Sequence, residues 1–180
     1  MKKTILLIAM FCFVATSFAQ EKKMLTPNDA AYMNRSLYPV GKSVKWLPDT
    51  DKYLFTDNEH PNNLMIQDVN AEKAEVLITL DQVNSYLNQA GLDSIKRLPN
   101  LTWIDATKAY YYSFDQKNNC VNLNLLDINA NNIKKVTSFP SNAENHTITL
   151  PSLKVAYTIE NNLYFADGEK HVQVTDNREM

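Results

Sequence analysis

The three histidines are the side chains best suited to acid–base chemistry or metal binding. They are His60, His146 and His171, and long stretches of chain separate them. The pattern around them places each histidine in a loop or at the start of a strand, with no acidic residue at the spacing of a metal ligand set. The sequence therefore predicts no metal site, and it indicates no cofactor.

Motifs for nucleophilic catalysis and phosphate binding are also missing. No Gly-x-Ser-x-Gly segment occurs, so the sequence contains no nucleophile elbow. The residues GKS at 41–43 resemble the end of a phosphate-binding loop, but Ser36 stands where that loop needs a glycine, and a turn is the better interpretation. Glu72 and Glu75 share a predicted hairpin turn and are interpreted as solvated surface charges. We therefore predict no catalytic residue and leave the substrate-binding residues unknown.

The segment 1–19 has the pattern of an export signal. Lys2 and Lys3 precede the apolar run 4–15, and small residues stand just before the expected cleavage point after Ala19. The apolar run is shorter than the ~20 residues of a spanning helix, which disfavours the alternative of an uncleaved anchor. We expect an exported protein, periplasmic or extracellular, without membrane contact after cleavage.

Charge and cysteine content narrow the classes of partner and fold. Losing the two lysines of the signal lowers the formal net charge from −2 to −4, and no basic patch remains, so nucleic acid is not an expected partner. Cys120 then remains as the only cysteine, so no internal disulfide is expected and stability must come from packing. It is interpreted as a small buried strand residue. Three glycosylation sequons are interpreted as chance matches in an Asn-rich chain; they begin at Asn34, Asn100 and Asn145.

Short β-type segments repeat three times in the same order. The copies span 44–79, 101–137 and 147–175, and each offers four predicted strands. A period of about 40 to 50 residues with four strands per unit is typical of a β-propeller blade. The predicted fold class is all-β, a partial β-propeller of about three four-stranded antiparallel blades over 44–180. An ordinary antiparallel meander or sandwich is the alternative.

Equivalent positions in the copies carry similar residues. An aspartate closes the third strand of each copy and a threonine closes the fourth; these are Asp68, Asp127 and Asp167, then Thr79, Thr137 and Thr175. The residues Trp46, Trp103 and Ile148 each stand seven positions before a second-strand residue, namely Tyr53, Tyr110 and Val155. These ordered matches favour a structural repeat. The alternating Tyr and Trp residues are interpreted as packing between blades, with a carbohydrate platform as the alternative.

Two helical segments accompany the predicted blades. The lead-in segment 20–43 contains a short predicted helix at about 27–35, with Thr26 as its cap. The insertion 80–97 opens on a capping box of Thr79 and Gln82 and reaches Gly91 as its stop, and its apolar face comprises Val83, Leu87 and Ala90. We interpret it as an interblade helix on the rim of the propeller. A partner-binding helix is the alternative.

Three blades do not close a propeller, which needs roughly four to eight. The sequence offers no strand that completes the first blade. We therefore expect either a fragment of a longer protein or a six-bladed ring made from two copies, and truncation is the simpler explanation.

The order of several segments resembles the start of the propeller of dipeptidyl peptidase IV enzymes, in the prolyl oligopeptidase family. These segments are LTPNDA, YPVGKSVKWLPDTDKYLF, LTWIDATKAYYYSF and VAYTIENNLYFAD followed by VQVTDN. The third unit of that family has a Leu-Ala-Tyr strand, an Asn-Asn turn and an Ile-Tyr strand. The matching residues here are Ala156, Tyr157, Asn161, Asn162, Leu163 and Tyr164.

The resemblance implies an exported serine exopeptidase that releases N-terminal Xaa-Pro dipeptides from peptide substrates. In that family an eight-bladed propeller caps an α/β-hydrolase domain, which holds the catalytic triad, and a substrate-binding glutamate pair lies just beyond the third unit. The remaining blades and the hydrolase domain would then be partners of this chain, which is inactive alone. A homodimer of the intact enzyme also remains open.

One family feature does not carry over. An arginine in the loop of the second blade helps to bind substrate in the family, whereas the loop DQKNN here has Lys117 and no arginine. Lysine lacks the planar two-pronged donor geometry of arginine, so we do not assign that role to Lys117. The alternative function is a non-enzymatic exported propeller for binding, closed by self-association.

Overall fold

Alternation of apolar and polar residues, punctuated by tight turns, gives three four-stranded antiparallel sheets in this computed structural model. The structure describes residues 43–57 and 59–176. The predicted signal and lead-in helix lie outside these residues. Within them, each sheet has its strands in chain order, and the sheets do not close into a ring. The predicted fold class, a partial propeller with an interblade helix, is therefore confirmed.

The bounds of the elements follow the predicted copies closely. The first sheet contains β1 (Val44–Trp46), β2 (Lys52–Thr56), β3 (Asn63–Asp68) and β4 (Glu75–Thr79), and helix α1 (Leu80–Gln89) follows it. The second contains β5 (Thr102–Trp103), β6 (Lys108–Asp115), β7 (Cys120–Asp127) and β8 (Asn132–Pro140). The third contains β9 (Glu144–Thr149), β10 (Lys154–Ile159), β11 (Asn162–Asp167) and β12 (Lys170–Gln173).

Three strand ends differ from the predicted ones by more than one residue, because pairing partners set them. β8 continues beyond Thr137 since Pro140 still pairs with Cys120 of β7. β9 begins at Glu144, ahead of residue 147 where the third copy was predicted to begin, because Glu144 pairs with Thr158 beyond a bulge. β12 ends before Thr175, whose hydroxyl accepts a hydrogen bond from the Leu163 amide at 2.8 Å.

The closing aspartates share one structural position. Asp68 pairs with Lys52 and Asp127 pairs with Lys108, and each lysine begins its second strand; Asp167 follows Ala166, which pairs with Val155. Their carboxylates act differently. Asp68 and Asp127 each accept a backbone N–H of the following turn at 2.9 Å, whereas Asp167 forms a 2.9 Å ion pair with Lys154. The three copies therefore place the aspartate at a similar backbone position, but its side-chain contacts differ between them.

The seven-residue spacing gives the same register in two of the three copies. Trp46 faces Tyr53 and Ile148 faces Val155, but Trp103 faces Ala109. The turn in the second copy is one residue shorter, because Ile104 donates to the carbonyl of Lys108 where Leu47 donates to that of Lys52. Sequence spacing alone did not show this shortening.

Trp46 also remains 63% exposed, so the prediction that it packs between blades is wrong within the described structure.

Helix α1 begins and ends as its capping residues predict. The Thr79 hydroxyl accepts the Gln82 amide at 3.2 Å, and the Gln82 side chain accepts the Thr79 amide at 2.8 Å. Gly91 follows the helix with φ +69°, and the Leu92 amide donates back to the Leu87 carbonyl at 2.9 Å. No helix within residues 43–57 and 59–176 combines the length and apolarity needed to cross a membrane.

The buried face of α1 differs from the predicted one by a residue. Leu80, Val83 and Leu87 are buried, whereas Ala90 is the exposed C-cap, so its predicted place on the apolar face is wrong. The helix stops after Gln89, and the backbone at Ala90 turns away from the helical path. Leu80 instead lengthens the apolar face at its start.

Two apolar clusters join the sheets. The first lies between the first and second sheets and includes Ile78, Val83, Leu87, Ala109, Leu126 and Ile133. The second lies between the second and third sheets and includes Leu123, Phe139, Leu153, Val155, Tyr157 and Ala166. Because side chains alternate along a strand, β7 contributes Leu126 to one cluster and Leu123 to the other. The second sheet is therefore the packed centre of this assembly.

Replacing Thr79 with alanine should lower the free energy of unfolding by about 0.5–2 kcal/mol, because the change removes the N-cap hydroxyl of α1. Chemical denaturation followed by circular dichroism measures the loss. Thr79→Ser is the matched control, since it keeps the accepting hydroxyl and should stay close to the parent. Equal stability of the alanine and serine variants would show that the cap contributes nothing.

Candidate functional site

The predicted chemical residues do not come together into one site. His60 lies in the loop after β2. His146 lies inside β9, with its ring 5.1 Å from that of Tyr112, and is not at a strand start. His171 is the second residue of β12, and its Nδ1 lies 3.2 Å from the Tyr157 hydroxyl. The three histidines therefore lie in three different segments, and each contacts different residues.

The loop of His60 contains acids that the sequence reasoning did not connect with it. One ligand atom each from Asp57, Glu59 and His60 lie within 4.8 Å of one another, and His60 Nδ1 is 3.9 Å from Asp57 Oδ2. The expectation that no acid stands at ligand spacing from a histidine is wrong for this loop. A tight turn causes the proximity, since the His60 amide donates to the Asp57 carbonyl at 3.2 Å. Three exposed or half-exposed ligands are fewer than Ca²⁺ usually takes.

The other singled-out residues lie at separate surface positions. Glu72 and Glu75 are both exposed, in a turn and at the start of β4, and Lys117 is exposed in the β6–β7 loop. Of the GKS motif, only Ser43 falls in the described residues. The sequon asparagines Asn100 and Asn145 bond to Lys45 and Thr158, whereas Asn34 lies outside the described residues. Cys120 is half-buried at the first position of β7.

A polar cavity beside the second sheet is a feature that sequence reasoning missed. It encloses about 540 Å³ between the segment 91–95, which follows α1, and strands β6 and β7. Its strand side includes Tyr111, Ser113, Asn122 and Asn124. Its other side includes the apolar residues Leu87, Leu92 and Ile95 together with the polar Asp93 and Ser94. The cavity therefore has a polar wall on the sheet and a mixed wall opposite it.

Strand pairing builds the polar wall. Tyr111 pairs with Asn124, and Ser113 pairs with Asn122, so all four share one face of the sheet. The same face continues as Ala109 paired with Leu126, which belongs to the first apolar cluster. The face thus changes from apolar to polar toward the β6–β7 loop.

Three of the polar side chains are buried. Tyr111 is 2% exposed, Asn122 8% and Asn124 1%. The Asn124 side-chain amide donates to the Ser113 hydroxyl at 2.9 Å and lies 3.4 Å from the Asn122 carbonyl. The Tyr111 hydroxyl is the one buried side-chain polar atom without a hydrogen-bond partner among the described residues. Burial raises the pKa of Tyr111 to about 12, so the hydroxyl stays protonated over the ordinary pH range.

Charged side chains also line the cavity, but they bond to other residues or are exposed to solvent. Asp115 accepts the Asn118 side-chain amide at 2.8 Å and the Asn118 backbone amide at 3.1 Å, and these bonds hold the pKa of Asp115 below its usual value. Lys117 is exposed. The buried wall is suited to neutral hydrogen bonding rather than to proton transfer.

A second cavity, between the second and third sheets, is dominated by packing. Phe139 stacks on Tyr157 at 5.6 Å between ring centroids, and Tyr157 stacks on Tyr164 at 5.5 Å. Phe139 and Tyr157 are each 2% exposed. These rings therefore pack between blades and do not form an open platform.

Comparison with known proteins shows similarity in fold. No protein-family model matches the chain, and no curated protein matches it significantly. Among solved structures, it is similar to a putative dipeptidyl aminopeptidase IV from Bacteroides ovatus, with a TM-score of 0.53 and 21% identity, over 77% of this chain and 19% of that chain. It is also similar to Porphyromonas gingivalis dipeptidyl peptidase 4, with a TM-score of 0.48 and 14% identity, over 86% of this chain and 22% of that chain.

The first of these similarities confirms, at the level of fold, the resemblance predicted from the blade sequences. The chain spans only about a fifth of the length of each of these proteins.

Proposed function

We propose that this chain is the N-terminal propeller portion of an exported serine exopeptidase of the dipeptidyl peptidase IV type. The intact enzyme would release N-terminal Xaa-Pro dipeptides from peptides. The observation that carries the proposal is the shared fold with a part of the Bacteroides ovatus dipeptidyl aminopeptidase. The sequence motifs that resemble the same family support it independently.

The hairpin of β10 and β11 is the segment in which motif and structure meet. Ile159 pairs with Asn162, which leaves Glu160 and Asn161 as a two-residue turn, and both have positive φ. Such turns match the twist of the flanking strands and favour asparagine. The family-like Asn-Asn pair therefore occupies the end of the turn and the first position of β11.

In the proposed enzyme these sheets would form part of a wall that limits access to narrow peptides. The serine, aspartate and histidine of catalysis would come from an α/β-hydrolase domain, which would be a partner of this chain together with the remaining blades. No residue of this sequence is assigned a catalytic role. The proposed location is the periplasm or the cell exterior, in keeping with the export signal predicted over 1–19.

The full 180-residue chain should release no product from Gly-Pro-p-nitroanilide in a chromogenic assay, because it lacks a nucleophile elbow. The reading frame continued past Met180 should encode a glutamate pair and then Gly-x-Ser-x-Gly. Its product should cleave the substrate, and replacement of that serine with alanine should abolish cleavage.

Two results would contradict the proposal. One is Gly-Pro cleavage by the 180-residue chain alone. The other is a natural stop after Met180 together with a stable dimer of the purified chain, detected by light scattering, which would favour a self-closing binding module.

A further inference from the structure

We propose that a third cavity, between the first and second sheets, binds a small monocarboxylic acid with an apolar body, of the size of phenylacetate or hexanoate. The cavity lies between strands β1 to β3 and the segment 98–101 that leads into β5. Its apolar depth and the Lys45 ammonium at its opening carry the inference. The inference is independent of the proposed peptidase role, since it involves no catalytic group.

One wall of this cavity is a face of the first sheet. Lys45 pairs with Leu54, and Thr56, two residues after Leu54, pairs with Leu64. These four side chains share a face because side chains alternate along a strand. Leu54 is 2% exposed and Leu64 is half-buried, whereas Lys45 and Thr56 are exposed. The wall is therefore apolar in its depth and polar where the cavity opens.

The opposite wall consists of residues at the start of the second sheet. Leu98, Pro99, Leu101 and Trp103 line this side, and all four are buried or half-buried. The two walls enclose about 220 Å³, more than the ~150 Å³ of an apolar cavity that takes benzene. The volume is below the roughly 300–1,000 Å³ of drug-sized sites. One ring or one short chain is therefore the largest body that fits.

Lys45 is the one charged side chain among the described residues that line this cavity. Its Nζ donates to Asn100 Oδ1 at 2.6 Å and to the Leu101 carbonyl at 3.4 Å, so it reaches from β1 to the opposite wall. Both acceptors are neutral, and no acidic residue within 43–57 and 59–176 forms an ion pair with Lys45. Since an ammonium has three donors, one remains for a ligand.

These walls favour an anion that has an apolar body. A ligand carboxylate at the opening would accept a charge-assisted hydrogen bond from Lys45. Ser43 and Thr56 also line the cavity and are exposed, and their hydroxyls supply further donors. A cationic ligand would meet a like charge and no acid, which is costly. The apolar body would lie against Leu54 and Leu101 and leave water there.

The test titrates the full chain with phenylacetate, benzoate and hexanoate, and it follows the indole N–H signals of both tryptophans in ¹⁵N–¹H spectra. Trp103 lines the cavity and Trp46 does not, and Trp46→Phe assigns the two signals. At least one acid should shift the Trp103 signal saturably. Phenylacetamide has the shape of phenylacetate without its charge, and it should bind about two- to fivefold more weakly, the effect of losing an exposed ion pair.

Variants of the lysine test where this preference arises. Lys45→Met should remove the preference for phenylacetate over phenylacetamide, whereas Lys45→Arg keeps the positive charge and should retain it. Lys52→Met is the matched control, because it removes the same charge from the exposed start of β2, outside the lining of the cavity. It should leave the affinity for phenylacetate unchanged.

Absence of a saturable Trp103 shift with all three acids would overturn the proposal. Equal binding of phenylacetate and phenylacetamide by the parent chain would do the same, as would equal affinity of Lys45→Met and the parent for phenylacetate. Tighter binding of L-phenylalanine than of phenylacetate would overturn the assignment to a simple acid, because the amino acid brings a second positive charge close to Lys45.

Discussion

Replacing Leu123 with alanine should lower the free energy of unfolding by about 2–5 kcal/mol, the range measured for buried leucines. Leu123 lies on β7 with 0% of its surface exposed, and it belongs to the apolar cluster between the second and third sheets. The change removes methyl groups from a packed site and leaves a cavity beside Phe139 and Val155, members of the same cluster. The strands around it are paired on both sides, so little collapse can fill that cavity.

Urea unfolding followed by circular dichroism and tryptophan fluorescence measures this loss. Leu163→Ala is the matched control, since it makes the same chemical change on β11 at a residue that is 37% exposed. Its loss should be clearly smaller, about 1 kcal/mol, because less apolar surface leaves a buried environment. Equal losses for the two variants would show that the second cluster does not hold the sheets together.

The strands and the start of the helix could be predicted because local chemistry sets them. The first predicted copy, 44–79, begins and ends where β1 begins and β4 ends, because alternation and the flanking turn residues agree there. Helix α1 follows from two side chains three residues apart, Thr79 and Gln82, which bond each other's backbone. Such signals depend only on neighbours along the chain.

Features that depend on distant partners were not predictable in this way. The extension of β8 to Pro140 requires Cys120 opposite it, and the altered register of Trp103 requires a shorter turn. Neither is visible in the spacing of apolar residues. Register is set by pairing and turn geometry together, and one residue more or less changes which side chains face each other.

The candidate site was missed for a related reason. In sequence, Asn122 and Asn124 stand in an Asn-rich strand and look like solvent-facing positions. In the fold they are 8% and 1% exposed, because the strand face they share is covered by the segment after α1. Only the combination of buried asparagines with a tyrosine on the facing strand could have indicated the cavity, and that requires the register of β6 with β7.

The threonines that close the three repeats hold equivalent positions but form different hydrogen bonds. Thr79 caps α1, the Thr137 hydroxyl donates to the Gly168 carbonyl at 2.6 Å, and the Thr175 hydroxyl accepts the Leu163 amide at 2.8 Å. Thr137 is 0% exposed on β8, while Gly168 lies in the turn between β11 and β12. The Thr137 bond therefore joins the second sheet to the third, from a fully buried donor to a half-buried acceptor.

Replacing Thr137 with valine should lower the free energy of unfolding by about 1–3 kcal/mol, because valine keeps the shape but leaves the Gly168 carbonyl without its donor. Urea unfolding measures the change, and Thr137→Ser should recover most of it. Thr175→Val is the matched control and should cost under about 1 kcal/mol, since water can bond the exposed Leu163 amide in its place. Equal costs at the two positions would mean that burial of the bond between sheets adds nothing. We expect the larger cost at Thr137 because Thr137 is buried and Thr175 is exposed. Their equivalent positions in the repeat do not predict this difference.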